Sequence, residues 1–214
     1  MDRHRHLTPY AALVLSGGYV EAGDQGRYSV QAGQVLVHAP YEAHQNSFPR
    51  TGAVVLNLPA EGRFAGASGT VADPDAIAAL AEKDPFAASQ MLQETFVPVD
   101  LSVSDWPDLL AIALCAGQDF SLETWAEATG VAPATVSRGF RRVYGTTPQR
   151  YRLEHRTLRA LRLLPAWRGT VADLAAETGF SDQAHLTRSV VSLTGATPGR
   201  LRIKYVQASA AHGG

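Results

Sequence analysis

The 214-residue chain carries a net charge of −1, with 45% hydrophobic and 18% charged residues. This is the composition of a globular protein with room for one large domain or two small ones, and it excludes wholesale disorder. A single cysteine, Cys115, excludes a disulfide scaffold and a cysteine-ligated zinc ribbon, and the longest apolar runs (109–116, for example) fall far short of the roughly 18 residues of a membrane span.

The near-zero total conceals an asymmetry. Residues 1–105 hold 6 Lys/Arg against 12 Asp/Glu, whereas residues 106–214 hold 13 against 8, and Lys204 is the only lysine among those 13. An arginine-rich half joined to an acidic half points to an anion-binding module attached to something else. No apolar leader follows the start MDRHRHLTPY, so a cytoplasmic protein without a membrane partner is expected.

In chain order, residues 1–66 read as β structure. Apolar or alternating runs at 10–20, 28–30, 35–38 and 53–58 are separated by turn signals such as Gly17-Gly18, Gly23-Asp24-Gln25-Gly26 and Pro49-Arg50-Thr51-Gly52. Short strands at this spacing predict an antiparallel sandwich or barrel. Residues 67–73 read as a linker. Asp73-Pro74 and Asp84-Pro85 each pair an N-cap with a proline at the first helical position, predicting helices to about Lys83 and Thr95. Together, 67–104 is expected to be a helical linker.

The C-terminal half contains an internal repeat. SLETWAEATGV (121–131) aligns with TVADLAAETGF (170–180); Ala126 and Gly130 match Ala175 and Gly179, and Arg138 matches Arg188 after one inserted residue. The copies close with TTPQRYR (146–152) and ATPGRLR (196–202). Each copy reads as helix, glycine turn, helix: alanine permits a close crossing, and glycine takes the positive φ that ends the first helix. The second helices begin at Pro133 and near Asp182; Thr170 and Asp173 are spaced as a capping box, while Ala132 is a poor cap. Between the copies, 148–164 reads as a long amphipathic helix with a basic face of Arg152, Arg156, Arg159 and Arg162. At 1.5 Å per residue it would span ~25 Å, enough to hold two modules about one DNA turn apart. Residues 106–117 supply a further apolar helix.

From Phe120 to Tyr205 these strings resemble the AraC/XylS family of transcription regulators, most specifically in TVADLAAETGFSDQAHLTRS followed by TGATPGRLR. The resemblance implies an all-α domain at 105–214 with two helix-turn-helix units, each placing a recognition helix in the major groove of double-stranded DNA. The N-terminal half resembles the cupin-type sensors attached to such domains, through His4-x-His6 and GQVLVHAPYEAHQN (33–46) with His44 at the ligand position. It departs from them in two ways. Tyr10 and Ala11 stand where the family's glutamate is expected, and 66 residues make only a partial barrel. The expected fold is therefore α+β: an antiparallel β domain at 1–66, a helical linker at 67–104 and the helical domain at 105–214.

Carried over by position, Ala134, Ser137 and Arg138 face the groove in the first copy, and Gln183, His185, Thr187 and Arg188 in the second. Arginine suits guanine O6 and N7, and glutamine suits adenine N6 and N7. Arg141 and Arg142 are expected on phosphates, which position rather than specify; in the second copy Val190, Val191 and Ser192 stand there instead. His4, His6 and His44 are candidate ligands for Zn or Fe, since three imidazoles can hold such an ion with an open position. The other reading of the β cavity is an organic effector contacted by the histidines with Tyr10, Tyr19, His38 and Asn46. The expected function is a sequence-specific transcription regulator, an activator and homodimer in the family pattern, with a small-molecule or metal effector and RNA polymerase as further partners. The competing class is a metal-dependent cupin enzyme that carries a DNA-binding module.

Overall fold

The computed structural model describes residues 1–60, 62, 64–116 and 120–203; residues 204 and 205, the end of the family-like segment, lie outside them. The chain divides into two compact units, Met1–Leu110 with Ala134–Thr146, and Ala111–Pro133 with Thr147–Gly214.

The first unit is built on an antiparallel sheet of β1 (His4–Arg5), β2 (Tyr10–Gly23), β3 (Gly26–Gln31), β4 (Gln34–His38), β5 (Ala43–Ser47), β6 (Ala53–Pro59), β7 (Ser68–Thr70) and β8 (Val97–Pro98). The long strand β2 organises it. Its first half pairs with β4 and β6, and its second half pairs with β3 and β5. A register shift between Val14 and Ser16 lets one strand serve both sets of neighbours, as a bulge does. Gly17 follows at φ +69°, and a Cβ there would meet the Gly52 carbonyl oxygen at 2.2 Å, so only glycine fits.

Residues 67–104 are not a free linker. β7 pairs with β4 and β8 pairs with β7, so both extend the sheet. Helices α1 (Pro74–Ala81) and α2 (Pro85–Thr95) begin at the expected Asp73 and Asp84 caps. Their Ile77, Ala88 and Leu92 close one core with Ala11, Leu13, Val35 and Leu58. Burying a leucine or isoleucine contributes about 1.5–3 kcal/mol, which explains why these helices stay with the sheet. A second cluster of Val14, Tyr19, Val30 and Leu36 fills the other side.

Helix α3 (Trp106–Ala116) has residues in both units; α4 (Leu122–Thr129) lies in the second, and α5 (Pro133–Tyr144) lies almost wholly in the first. The compact units thus cut across the expected 105–214 span. Within the first unit the C-terminal end of α5 is held by side chains from the sheet: Gln45 Nε2 donates to the carbonyls of Arg142 and Val143, and Arg3 donates to Tyr144 O at 3.2 Å. Such donors satisfy carbonyls that a helix end leaves open. Tyr144 Oη donates to Asp108 at 2.8 Å, and Asp108 pairs with Arg27 at 2.7 Å.

The second unit adds α6 (Pro148–Leu163), α7 (Val171–Glu177), α8 (Gln183–Thr194) and α9 (198–203). Its interior is Tyr151, Leu158, Leu161, Leu174, Phe180, Leu186 and Val190, all buried. Among the described residues no helix is long and apolar enough to cross a membrane.

Candidate nucleic-acid interface and histidine cluster

Strand register assembles the histidine cluster. β1 sets His4 opposite His44, and β2 sets Tyr10 opposite His38 and Glu21 opposite Asn46. His4 Nε2 lies 3.0 Å from His44 Nε2, and the rings of His4, His6 and His44 meet edge to face with centroids 4.5–5.5 Å apart. Tyr10 stacks on His38 at 4.4 Å, and Asn46, with its amide nitrogen turned inward, reaches Glu21 Oε2 at 3.1 Å. Burial lowers the His38 pKa to about 4, against a smaller opposing pull from Glu21, and burial also lowers that of His6. The same desolvation raises the Tyr10 and Tyr19 phenols. Tyr19 packs its ring against Phe48 at 5.3 Å and borders an open cleft of about 540 Å³.

A carboxylate does stand beside these histidines, though not at position 10 or 11. Glu21, 4% exposed, faces His38 Nε2 at 3.5 Å and His44 Nδ1 at 3.2 Å. Sequence reasoning missed it. The available signal was period two along β2, where Tyr19, Glu21 and Gly23 share a face and an acid stands in an otherwise apolar strand.

The arginine-rich helices start from local chemistry. Ser121 caps α4, its hydroxyl accepting from Thr124 N at 3.4 Å, and Gly130 ends the helix at φ +69°. Val131 N then reaches back to Ala126 O at 3.1 Å, the six-to-one bond of a Schellman turn. In α5, Val136, Phe140 and Tyr144 are buried at four-residue spacing. Ala134, Ser137, Arg138, Arg141 and Arg142 are all exposed. Arg138 Nε donates to Ala134 O at 3.2 Å.

The second copy is capped more heavily. Thr170 and Asp173 form a reciprocal capping box on α7, and Asp182 accepts from His185 N at 2.7 Å to start α8. Gln183 and Arg188 are exposed, whereas His185 and Thr187 are half-buried. His185 sits edge-on to Phe180 at 5.1 Å and within 3.2 Å of Ser181 Oγ, so its ring is engaged locally.

Helix α6 departs from the expected basic face. Arg152 donates to Phe120 O at 3.2 Å, and Arg156 donates to Gly179 O while lying over the Phe180 ring at 5.3 Å. Arg159 pairs with Glu177 at 2.9 Å. Arg152 and Arg156 are thus engaged within the second unit, whereas Arg159 sits in an exposed pair and Arg162 is exposed.

Residues 125–204 match a family model described as a helix-turn-helix domain. The virulence regulon transcriptional activator VirF of Yersinia enterocolitica is 34% identical over 86 residues, 40% of this chain and 32% of that protein. The HTH-type transcriptional regulator ExsA of Pseudomonas aeruginosa is 33% identical over 84 residues, 39% of this chain and 30% of that one. Among solved structures, the DNA-binding domain of AdpA in complex with a target DNA is 29% identical, covers 48% of this chain and 94% of that chain, and has a TM-score of 0.43.

The likeness to a helix-turn-helix domain is thus confined to residues 125–204. The chain spans about a third of the length of the curated relatives it matches. Within the helix-turn-helix domain, both glycine turns have the backbone their role requires, with Gly130 at φ +69° and Gly179 at φ +75°. Of the residues expected at base edges, Ala134, Ser137, Arg138, Gln183 and Arg188 are exposed.

Proposed function

We propose that this chain is a sequence-specific, DNA-binding transcription regulator of the AraC/XylS family. The observation that carries the reading is the match of 125–204 to a helix-turn-helix domain, together with the exposed face of Arg138, Arg141 and Arg142 on α5 and of Gln183 and Arg188 on α8. In this reading α5 and α8 are the recognition helices. Arg138 and Arg188 suit guanine, Gln183 suits adenine, and Arg141 and Arg142 hold phosphates.

The sheet unit serves as the cupin-like sensor and homodimer contact, and its occupant is a metal or small-molecule effector. Activation of transcription, the role printed in the name of VirF for that protein, with RNA polymerase as partner and a cytoplasmic location, completes the proposal.

The test begins by selecting bound sequences from a random DNA pool with the purified chain. Arg138→Ala should then cost roughly 1–3 kcal/mol on the selected site and little on unrelated DNA. Failure to enrich any sequence, or equal loss on both DNAs, would overturn base readout by α5.

A further inference from the structure

The sheet unit contains a buried carboxylate, Glu21, that the DNA-recognition reading does not use. Among the described residues the ion-pair partners of Glu21 are two imidazoles, His38 and His44, and all three side chains are at least nine-tenths buried. A buried carboxylate without a cation is costly unless it is paired or coordinates a metal. Among the described residues His38 Nε2 also has no hydrogen-bond partner although it is shut away from solvent, and an orphaned buried polar atom needs an explanation.

The three residues come from β2, β4 and β5, and one ligand atom from each lies within 4.8 Å of the others. They line a space of about 10 Å³. That is room for a single water-sized occupant, not for an organic effector.

We propose that Glu21, His38 and His44 form a seat for one divalent transition-metal ion, Zn²⁺ or Fe²⁺. Two imidazoles and a carboxylate are a donor set that both ions accept, with further coordination positions left for water. The ion gives the Glu21 carboxylate a cation and His38 Nε2 a partner. The Asn46 amide, 3.1 Å from Glu21 Oε2, orients the carboxylate from outside the ligand set. This seat differs from the trio of His4, His6 and His44. That trio also brings ligand atoms within 4.8 Å, but it has no anionic member, and His4 and His6 are only half-buried. The proposal deepens the sensor reading, but its test reads metal directly: an ion that binds without altering DNA affinity would count against the sensor reading alone.

The experiment uses the full chain, stripped with chelator and titrated with Zn²⁺ and, as a visible-absorbing probe, Co²⁺. The expected result is about one ion per chain and a raised melting temperature, because a ligand held only by the folded state stabilises it. Glu21→Gln and His38→Gln, on different strands, should each weaken binding at least tenfold while circular dichroism stays native. A His4→Gln/His6→Gln double variant should bind within about threefold of the parent. Should either single variant misfold, the ring NMR signals of His38 in the unsubstituted chain decide the matter, since they must shift when Zn²⁺ is added. The proposal is overturned if the parent takes up no ion, if the His38 signals do not move, or if the double variant alone loses binding.

Discussion

The two copies of the repeat share a plan but differ in what supports them. In the first copy the cap on α4 is a single long contact from Ser121, and position 132, just before α5, is an alanine without a side-chain acceptor. In the second, Thr170 and Asp173 satisfy each other's backbone N–H groups, and Asp182 caps α8. The charge runs the other way. α5 ends with exposed Arg141 and Arg142, where α8 carries Val191 and Ser192. The second copy is thus better stabilised locally, and the first is better equipped to hold an anion. Cations in the last turn of α5 also complement its dipole.

The comparison can be pressed hardest through the cores. Phe140 is fully buried and stacks on Tyr144 at 4.6 Å, while Leu186 is the fully buried centre of α8. Phe140→Ala should cost about 3–5 kcal/mol and Leu186→Ala about 2–5 kcal/mol in urea unfolding. A loss under about 1 kcal/mol at Leu186 would show that caps, not packing, hold the second copy.

The caps themselves give a smaller effect. Thr170→Ala should lower stability by about 1 kcal/mol and Ser121→Ala by about half that; the reverse order would contradict the contrast. Hydrogen bonds from Thr170 hold the Asp173 carboxyl below its ordinary range, and bonds from His185 N and Ser181 do the same for Asp182. A depressed folded-state pKa contributes stability above the unfolded value of about 4, and that contribution is lost as pH falls through the folded value. Amide exchange in the first turns of α7 and α8 should therefore accelerate on acidification below about pH 4. The first turn of α4, capped by a hydroxyl, should not share this change.

The repeat was readable in the sequence because its determinants are local. A-x-x-x-G spacing, Thr170-x-x-Asp173 and Asp182 act within one turn, and each appears in the structure where the spacing put it. The sheet was harder to read. β1 and β8 have two residues each, β7 is Ser-Gly-Thr, and β5 carries more polar than apolar residues, so none has an apolar alternation to find. Glu21 was missed because its relation to His38 and His44 depends on register between strands distant in sequence. The α6 arginines looked like a solvated face because spacing alone cannot reveal the carbonyls of Phe120 and Gly179 that accept from them.

On the DNA-binding reading proposed above, the phosphate grip is concentrated in the first copy. Its most direct test is the dependence of affinity on salt between about 50 and 200 mM for the parent chain, Arg142→Ala and Val191→Arg. With a slope of about −0.9 per phosphate contact, Arg142→Ala should be shallower by about 0.9 and Val191→Arg, which adds a cation to α8, steeper by a similar amount. A parent affinity indifferent to salt, or an Arg142→Ala slope equal to that of the parent, would contradict the account.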